Sequence, residues 1–356
     1  MTKSVLVTGG AGYVGSHVVH ELVVRGFDVT VLDNLQQGHP EAVPQDVPLI
    51  EADLRDAEAV RRVFQRHRFD AVMHFASNAL VGESMEMPFL YLKDNLDAAL
   101  NLVGEAVRHD VGKFVLSSTS NIFGNPERFP IDEECRDDPG SPYGESKLMI
   151  EKVLAWMDRV YGLRSACLRY FNAAGAHPDG ILGEDHDPET HLIPIVLDTA
   201  AGRRPHVDVY GTDYPTPDGT CIRDFVHVCD LADAHLRALD RLDERSWRFN
   251  IGSGHGFSVR QVIETAERVT GRPIPVREVG RRPGDPAVLV ACSDRLRAEL
   301  GWEPRFSSLE CMLETAWAWR VAHPNGYGRR AKAPKVNVAP IRQAAMAIGR
   351  VHDQSA

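Results

Sequence analysis

Short apolar runs alternate with longer amphipathic stretches through the first part of the chain, and that alternation predicts the fold. Residues 5–7, 29–32, 71–75 and 113–116 are compact runs rich in β-branched side chains, as expected of strands buried on both faces. Between them, residues 13–24, 58–67 and 88–109 carry apolar side chains at helical spacing. Strand and helix in regular succession predict an α/β fold, a Rossmann-type doubly wound parallel sheet with helices on both faces. A further helix is expected over 143–161, where Met149, Ile150, Val153, Leu154 and Met157 fall at helical spacing. The run 166–170 then reads as the next strand.

From about Asn172 the pattern loosens. Pro, Gly, His and Asp gather through 176–189, and strand-like runs become short and widely separated. The expected organisation is a nucleotide-binding domain over 1–171 that also takes in a segment near 225–252, and a smaller C-terminal α/β substrate region over 172–327. Residues 328–356 carry six Lys or Arg against one Asp, and read as a basic, flexible tail. A short helix through Ile341, Ala345 and Ile348 is the alternative there.

Composition narrows the function classes. The chain is 43% hydrophobic and 25% charged, ample for a packed core, and its net charge of −10 argues against nucleic acid or an anionic membrane as partner. No apolar stretch approaches the roughly 20 residues a membrane helix needs. The first apolar run leads straight into a glycine turn, so it reads as a strand and not as a signal peptide. The six cysteines contain no Cys-x-x-Cys and read as reduced thiols, which makes the expected compartment cytoplasmic.

Two constellations carry chemistry. Thr8-Gly9-Gly10-Ala11-Gly12-Tyr13-Val14-Gly15 sits between the first strand and the first helix, the context a dinucleotide turn requires. Its glycines allow a tight turn and close approach of a pyrophosphate, and the helix start offers free N–H groups to the anion. The second strand ends in Asp33-Asn34, where a carboxylate accepts hydrogen bonds from ribose hydroxyls and repels a 2′-phosphate, so NAD is expected in preference to NADP. Asp53-Leu54 after the third strand suits the adenine, although Asp56 beside it reads as a helix cap. Downstream, Tyr143-Gly-Glu-Ser-Lys147 places a phenol and an ammonium one helical turn apart, shortly after the hydroxyl-rich Leu116-Ser-Ser-Thr-Ser120. Tyr-x-x-x-Lys alone is weak. After a glycine turn and a Ser/Thr strand, it describes a tyrosine base beside a nicotinamide ring.

That order is the pattern of the extended short-chain dehydrogenase/reductase superfamily. Further motifs, among them Val81-Gly-Glu-Ser84, Ser141-Pro-Tyr-Gly144, Leu168-Arg-Tyr-Phe-Asn-Ala-Ala-Gly-Ala-His-Pro178, His191-Leu-Ile-Pro194, Arg223-Asp-Phe-Val-His227 and Arg281-Arg-Pro-Gly-Asp285, are specific. With them the chain resembles the UDP-glucose 4-epimerase (UDP-galactose 4-epimerase) family from about residue 3 to Tyr327. The resemblance implies that Tyr143 is the acid/base, that Lys147 holds the nicotinamide ribose and lowers the phenol's pKa, and that Thr119 bonds the sugar 4-hydroxyl. It assigns Gly9, Gly10, Gly12, Tyr13, Val14, Gly15, Asp33, Asn34, Asp53, Leu54, Phe75, Ala76, Asn95 and Ser117 to the cofactor, with Tyr170 and Phe171 at the nicotinamide end. Asn172 would meet the nucleotide sugar and His191 and Leu192 the uridine. Arg223 and Arg282 would clamp the diphosphate, with Asp285 near the ribose and Leu289 at the sugar's C2 side. The implied partners are a UDP-sugar and a second copy of the chain, paired through the 88–109 and 143–161 helices.

Several features keep alternatives open. Ser120-Asn121 replaces the Asp-Glu pair that related 4,6-dehydratases place after the threonine, which favours epimerisation, yet it also differs from the commoner small residues of the epimerases. A UDP-hexose 4-epimerase leads. Another NAD-dependent nucleotide-sugar epimerase or dehydratase, acting on a UDP-N-acetylhexosamine, pentose or uronate, is the second reading, and a non-catalytic NAD-binding regulator is the third. His177, His186 and His191 stand near Glu184, Asp185 and Asp187, but their spacing fits no usual zinc pattern. A hydrated loop without metal is expected there. Asp230 reads as a helix N-cap, and Ala316, Trp317 and Trp319 as core.

Overall fold

The computed structural model describes residues 3–282, 285–306 and 308–328, so the tail expected beyond Gly328, with its alternative helix, lies outside the described residues. Six strands come first: β1 (Ser4–Thr8), β2 (Asp28–Asp33), β3 (Leu49–Glu51), β4 (Ala71–His74), β5 (Lys113–Thr119) and β6 (Arg164–Tyr170). Three strands of a second region follow, β7 (Asn172–Ala174), β8 (Val207–Tyr210) and β9 (Ile222–His227), before β10 (Trp247–Ile251) returns beside β6. The order β10-β6-β5-β4-β1-β2-β3 is parallel throughout. It reverses between β1 and β4, and at such a switch point a crevice opens outside the strands' carboxyl ends.

Helices α1 (Tyr13–Val24), α2 (Ala57–Arg66), α3 (Val81–Glu86), α4 (Pro88–Arg108) and α5 (Pro142–Tyr161) follow the expected rhythm. Val60 and Phe64 of α2, Leu102 and Val103 of α4, and Ile150 and Leu154 of α5 are buried in one core with Leu6, Val72 and Phe114 of the sheet. Each such side chain contributes roughly 1.5–3 kcal/mol on burial, which is what fixes α5 against the sheet. On the opposite face α1 packs with α7 (Val228–Asp240), preceded in the chain by α6 (Leu192–Ala200). The second region is built on β9, which pairs with β7, β11 (Gly256–Ser258) and β13 (Val288–Leu289), while β12 (Val276–Val279) pairs with β8. Its core joins α6, α8 (Val259–Thr270) and α10 (Leu309–Ala322), and α9 (Asp294–Leu300) packs near β10.

Local chemistry explains the ends of these helices. Asp56 caps α2 by accepting the Glu58 and Ala59 N–H groups. Ser258 and Gln261 form a reciprocal capping box on α8. Asp230 is a correction: the α7 cap is His227, whose Nδ1 accepts the Cys229 N–H. Asp230 lies inside the first turn and accepts the N–H groups of Arg305 and Phe306. Trp319 and Ala316 are buried as expected, and Trp317 is half-buried against the second core. Among the described residues no helix is long and apolar enough to cross a membrane.

Candidate active site

A cleft of about 460 Å³ runs along the carboxyl ends of the central strands. Gly9 and Gly15 close its floor. Gly9 has φ +74°, and a Cβ there would lie 2.4 Å from the Ala76 nitrogen; a Cβ on Gly15 would lie 2.1 Å from the Gly9 oxygen. Gly10 lies behind the wall against Val19 and Val31, whereas the nearest atom to a Cβ on Gly12 is 3.4 Å away. α1 begins at this turn with no side-chain cap, so its first N–H groups are free for an anion, and Tyr13 and Val14 line the same stretch.

Asp33 is buried at the end of β2, where its two oxygens accept the N–H groups of Ala11 at 3.1 Å and Leu35 at 2.9 Å. Burial pushes its pKa up and these hydrogen bonds oppose the rise. Asn34, Asp53 and Leu54 line the adjoining wall. Asn34 donates to Asp53 at 3.2 Å, and Arg55, which also pairs with Asp94, holds Asp53 down at about 2. The glycine floor, the uncapped helix start and the carboxylate therefore fit a dinucleotide carrying free ribose hydroxyls.

The other end of the cleft carries Thr119 and Tyr143. Ser141 is the N-cap of α5, accepting the Gly144 N–H at 3.1 Å, and Pro142 occupies the first helical position, so Ser-Pro-Tyr-Gly places Tyr143 in the first turn. Tyr143 is buried beside the Thr119 hydroxyl, which ends β5. Thr119 Oγ1 accepts from Asn121 twice, from the backbone at 3.2 Å and from Nδ2 at 3.1 Å, leaving its own proton to point elsewhere. Sequence reasoning flagged Asn121 only as a departure; its contact arises because a 3₁₀ turn over Ser120–Phe123 folds the amide back onto the threonine.

Lys147 is almost fully buried behind the cleft wall, and its Nζ donates to the Ser117 carbonyl at 2.9 Å. Burial lowers its pKa to about 8 against the opposing pull of Glu151. Burial drives the Tyr143 phenol well above its ordinary range, with Tyr170 adding to the rise and Thr119 offsetting part of it. Ser117 and Tyr170 share a hydrogen bond of 2.8 Å, and Phe75, Ala76, Phe171 and Asn172 complete the wall. Asn95 also lines it, but its amide is spent on the backbone of Asn78 and on Ser146 Oγ, tying that loop to α5.

Of the residues expected to hold nucleotide, His191 lines the cleft, and Leu192, Arg223, Arg282, Asp285 and Leu289 stand outside its lining. Arg223 is paired with Asp285, and Arg282 lies 3.8 Å from the centre of the Tyr210 ring. Leu192 opens α6 against the second core, and Leu289 packs with Phe123, Ile131, Phe171 and Ala291.

The family model described as "NAD dependent epimerase/dehydratase family" matches residues 5–252. The chain belongs to this family. The UDP-glucose 4-epimerase of Halalkalibacterium halodurans is 50% identical to it over 331 residues, covering 92% of this chain and 99% of that protein. A solved UDP-glucose 4-epimerase is 46% identical with a TM-score of 0.90, covering 92% of this chain and all of its own (100%). The Bifidobacterium longum enzyme, solved with NAD+ and UDP, is 38% identical with a TM-score of 0.87, covering 91% and 100%. Family members of this likeness match both the glycine-turn half and the second region of the chain.

Proposed function

We propose that the protein interconverts UDP-glucose and UDP-galactose by reversible epimerisation at C4, through a transient 4-keto sugar and a tightly held NAD. The observation that carries this reading is the meeting of Tyr143 and Thr119 at one end of a cleft whose other end is the glycine cradle. When bound, NAD supplies the hydride acceptor, and then donor, that C4 needs, and its positive ring favours a nearby phenolate.

The chain's own groups do the rest. Tyr143 takes the proton of the 4-hydroxyl and gives it back to the C4 oxygen once the keto sugar has turned its opposite face and C4 has been reduced again. A free phenol titrates near 10, so bringing it close to neutrality takes about 4 kcal/mol of phenolate stabilisation, beyond whatever offsets its burial. In this reading Lys147 holds the cofactor ribose, Thr119 orients the 4-hydroxyl, and Phe75, Tyr170 and Phe171 keep water from the exposed keto group. Arg223 and Arg282 are the diphosphate clamp in this reading, with Arg223 exchanging its Asp285 partner for phosphate oxygens. Asn172, His191, Leu192 and Asp285 serve the nucleotide, and Leu289 bears on the sugar's C2 side. The domain division, 1–171 with the later segment against 172–327, follows the same logic.

The test is purified protein incubated with UDP-galactose, with UDP-glucose followed by chromatography. Tyr143→Phe retains NAD and nucleotide while turnover falls by at least about a hundredfold. Near-normal turnover in that variant removes Tyr143 from the mechanism, and loss of water in place of epimerisation moves the enzyme to the dehydratases.

We also infer a homodimer. Phe89 and Leu100 on α4, and Trp156 and Val160 on α5, are exposed apolar side chains at helical spacing on two neighbouring helices. Light scattering that gives the 39.4 kDa of one chain at micromolar concentration would sink this part. Six free thiols suit the cytoplasm, which cell fractionation checks.

A further inference from the structure

Away from Tyr143, four side chains bring metal-ligating atoms together at the edge of the cleft. Glu184, His186, Glu189 and His191 lie in the loop that leads into α6, and one such atom from each falls within 4.8 Å of all the others. His191 Nδ1 is 2.9 Å from Glu184 Oε1 and 3.0 Å from Glu189 Oε1. His186 Nδ1 is 3.3 Å from Glu184 Oε1 and 3.7 Å from Glu189 Oε2. Ligands held at about 2.0–2.1 Å around a tetrahedral zinc stand roughly 3.3 Å from one another, so these separations bracket the edges of such a polyhedron. Two carboxylates and two imidazoles, each imidazole giving up its proton as the metal binds, match a divalent zinc-class ion in charge and in ligand preference.

A second observation points to an occupant. His186 Nδ1 and Glu189 Oε2 are buried without a hydrogen-bond partner, and the Glu189 side chain is only 7% exposed. The imidazole nitrogen is close to both carboxylates but makes a hydrogen bond with neither. Arg320 approaches Glu189 Oε2 no nearer than 3.7 Å and is committed to Asp198 at 2.8 Å. Buried polar atoms without partners call for a bound group.

We propose that Glu184, His186, Glu189 and His191 form a zinc-class divalent-metal site that pins this loop across the dinucleotide cleft. The loop is well placed for that role. The Asp185 carbonyl meets His39 Nε2 at 3.0 Å and the Asp187 carbonyl accepts from Gln37 at 3.1 Å, both from the segment after β2, while Glu184, His186 and His191 face the cleft. Sequence spacing argues against a metal because the ligands fall in an irregular loop and because nothing in the spacing singles out Glu189. His177, Asp185 and Asp187, which the spacing does bring to notice, lie outside the cluster.

The test uses untagged full-length protein, stripped with a chelator and dialysed against buffered Zn2+. Elemental analysis is expected to find about one zinc per chain, and the thermal midpoint to rise with free Zn2+ as for any ligand that binds only the folded state. His186→Asn and Glu189→Gln, checked for folding by circular dichroism, should each bind zinc at least about tenfold more weakly. Wild-type protein that takes up no zinc and shows no thermal shift overturns the proposal without recourse to any variant, and leaves the cluster as an imidazolium–carboxylate network. Undiminished zinc in both folded variants overturns it equally.

Discussion

Replacing Glu151 with glutamine tests how α5, the helix that carries Tyr143 and Lys147, is fastened to the sheet. Arg169 on β6 is fully buried and is met by Glu151 on α5 at 3.0 and 2.6 Å, and by Asp137 at 2.8 Å. Glu151 also accepts the Ser118 hydroxyl at 2.6 Å, so one carboxylate joins α5 to two neighbouring strands. Its side chain is 3% exposed, against 28% for Asp137. Glutamine preserves the shape but removes the charge and turns an N–H toward a guanidinium that cannot accept. Removing one partner of a buried pair costs about 3–5 kcal/mol. Asp137 still balances part of the charge, so the loss should fall near the lower end, about 3 kcal/mol, whereas the more exposed Asp137→Asn should cost about 1 kcal/mol.

Urea unfolding at pH 7 with an unchanged slope measures both. The variant should also alter the pH dependence through Lys147. Between about 8 and 10.5 the unfolded chain holds a proton on this lysine that the folded protein has lost, so stability rises with pH across that window. Without Glu151 the folded pKa drops further, and the rise begins at lower pH. Equal losses for the two variants, or less than about 1 kcal/mol for Glu151→Gln, would refute the idea that Arg169 fastens α5 chiefly through Glu151.

Three further outcomes are expected. In Gly144→Ala the new Cβ would lie 2.5 Å from the Asn121 carbonyl oxygen, so α5 must shift from the Thr119 turn; turnover should fall by roughly a hundredfold with NAD retained, and unchanged kcat would refute the contact. If Leu289 leaves room beside the sugar 2-position, the protein should epimerise UDP-N-acetylglucosamine less well than UDP-glucose, and Leu289→Tyr should suppress the N-acetyl substrate selectively; equal losses would make it a packing residue. Burial lowers the pKa of His17 and His74 to about 3 and of His227 and His235 to about 4. Below about 6.5 the unfolded chain takes up protons these groups cannot, at about 1.4 kcal/mol per group per pH unit. Asp224 and Asp230, pushed upward by burial, offset part of this, but circular dichroism should still show unfolding before pH about 4, and stability that is flat from pH 6.5 to 4.5 would contradict it.

What the sequence disclosed was local. The glycine turn, the Ser-Pro-Tyr-Gly helix start and the βα rhythm each depend on residues a few positions apart, and the structure sets them where those spacings imply. What stayed hidden depends on distant or irregular backbone. Asp230 carries a capping side chain at a helix start, yet its oxygens serve a loop seventy-odd residues away, and a histidine takes over the cap. Arg223 and Asp285 pair across separate strands and loops, so no spacing announces them. The Glu/His cluster has neither helical nor hairpin periodicity, and the folded loop alone gathers it.

The setting of Asp33 bears on redesign of cofactor preference. Its carboxylate currently occupies two backbone N–H groups, those of Ala11 and Leu35, and a Cβ on Gly38 would come within 2.9 Å of it. Trimming that side chain to serine or glycine would remove a negative charge and release both amides into the same small space. The vacated corner would then be an electropositive notch of backbone donors beside a helix start, the kind of concavity that accepts a phosphate. A switch toward the phosphorylated dinucleotide is therefore latent in the main chain and held shut by one side chain, so engineering for it should begin at Asp33 and leave the compressed glycine floor alone.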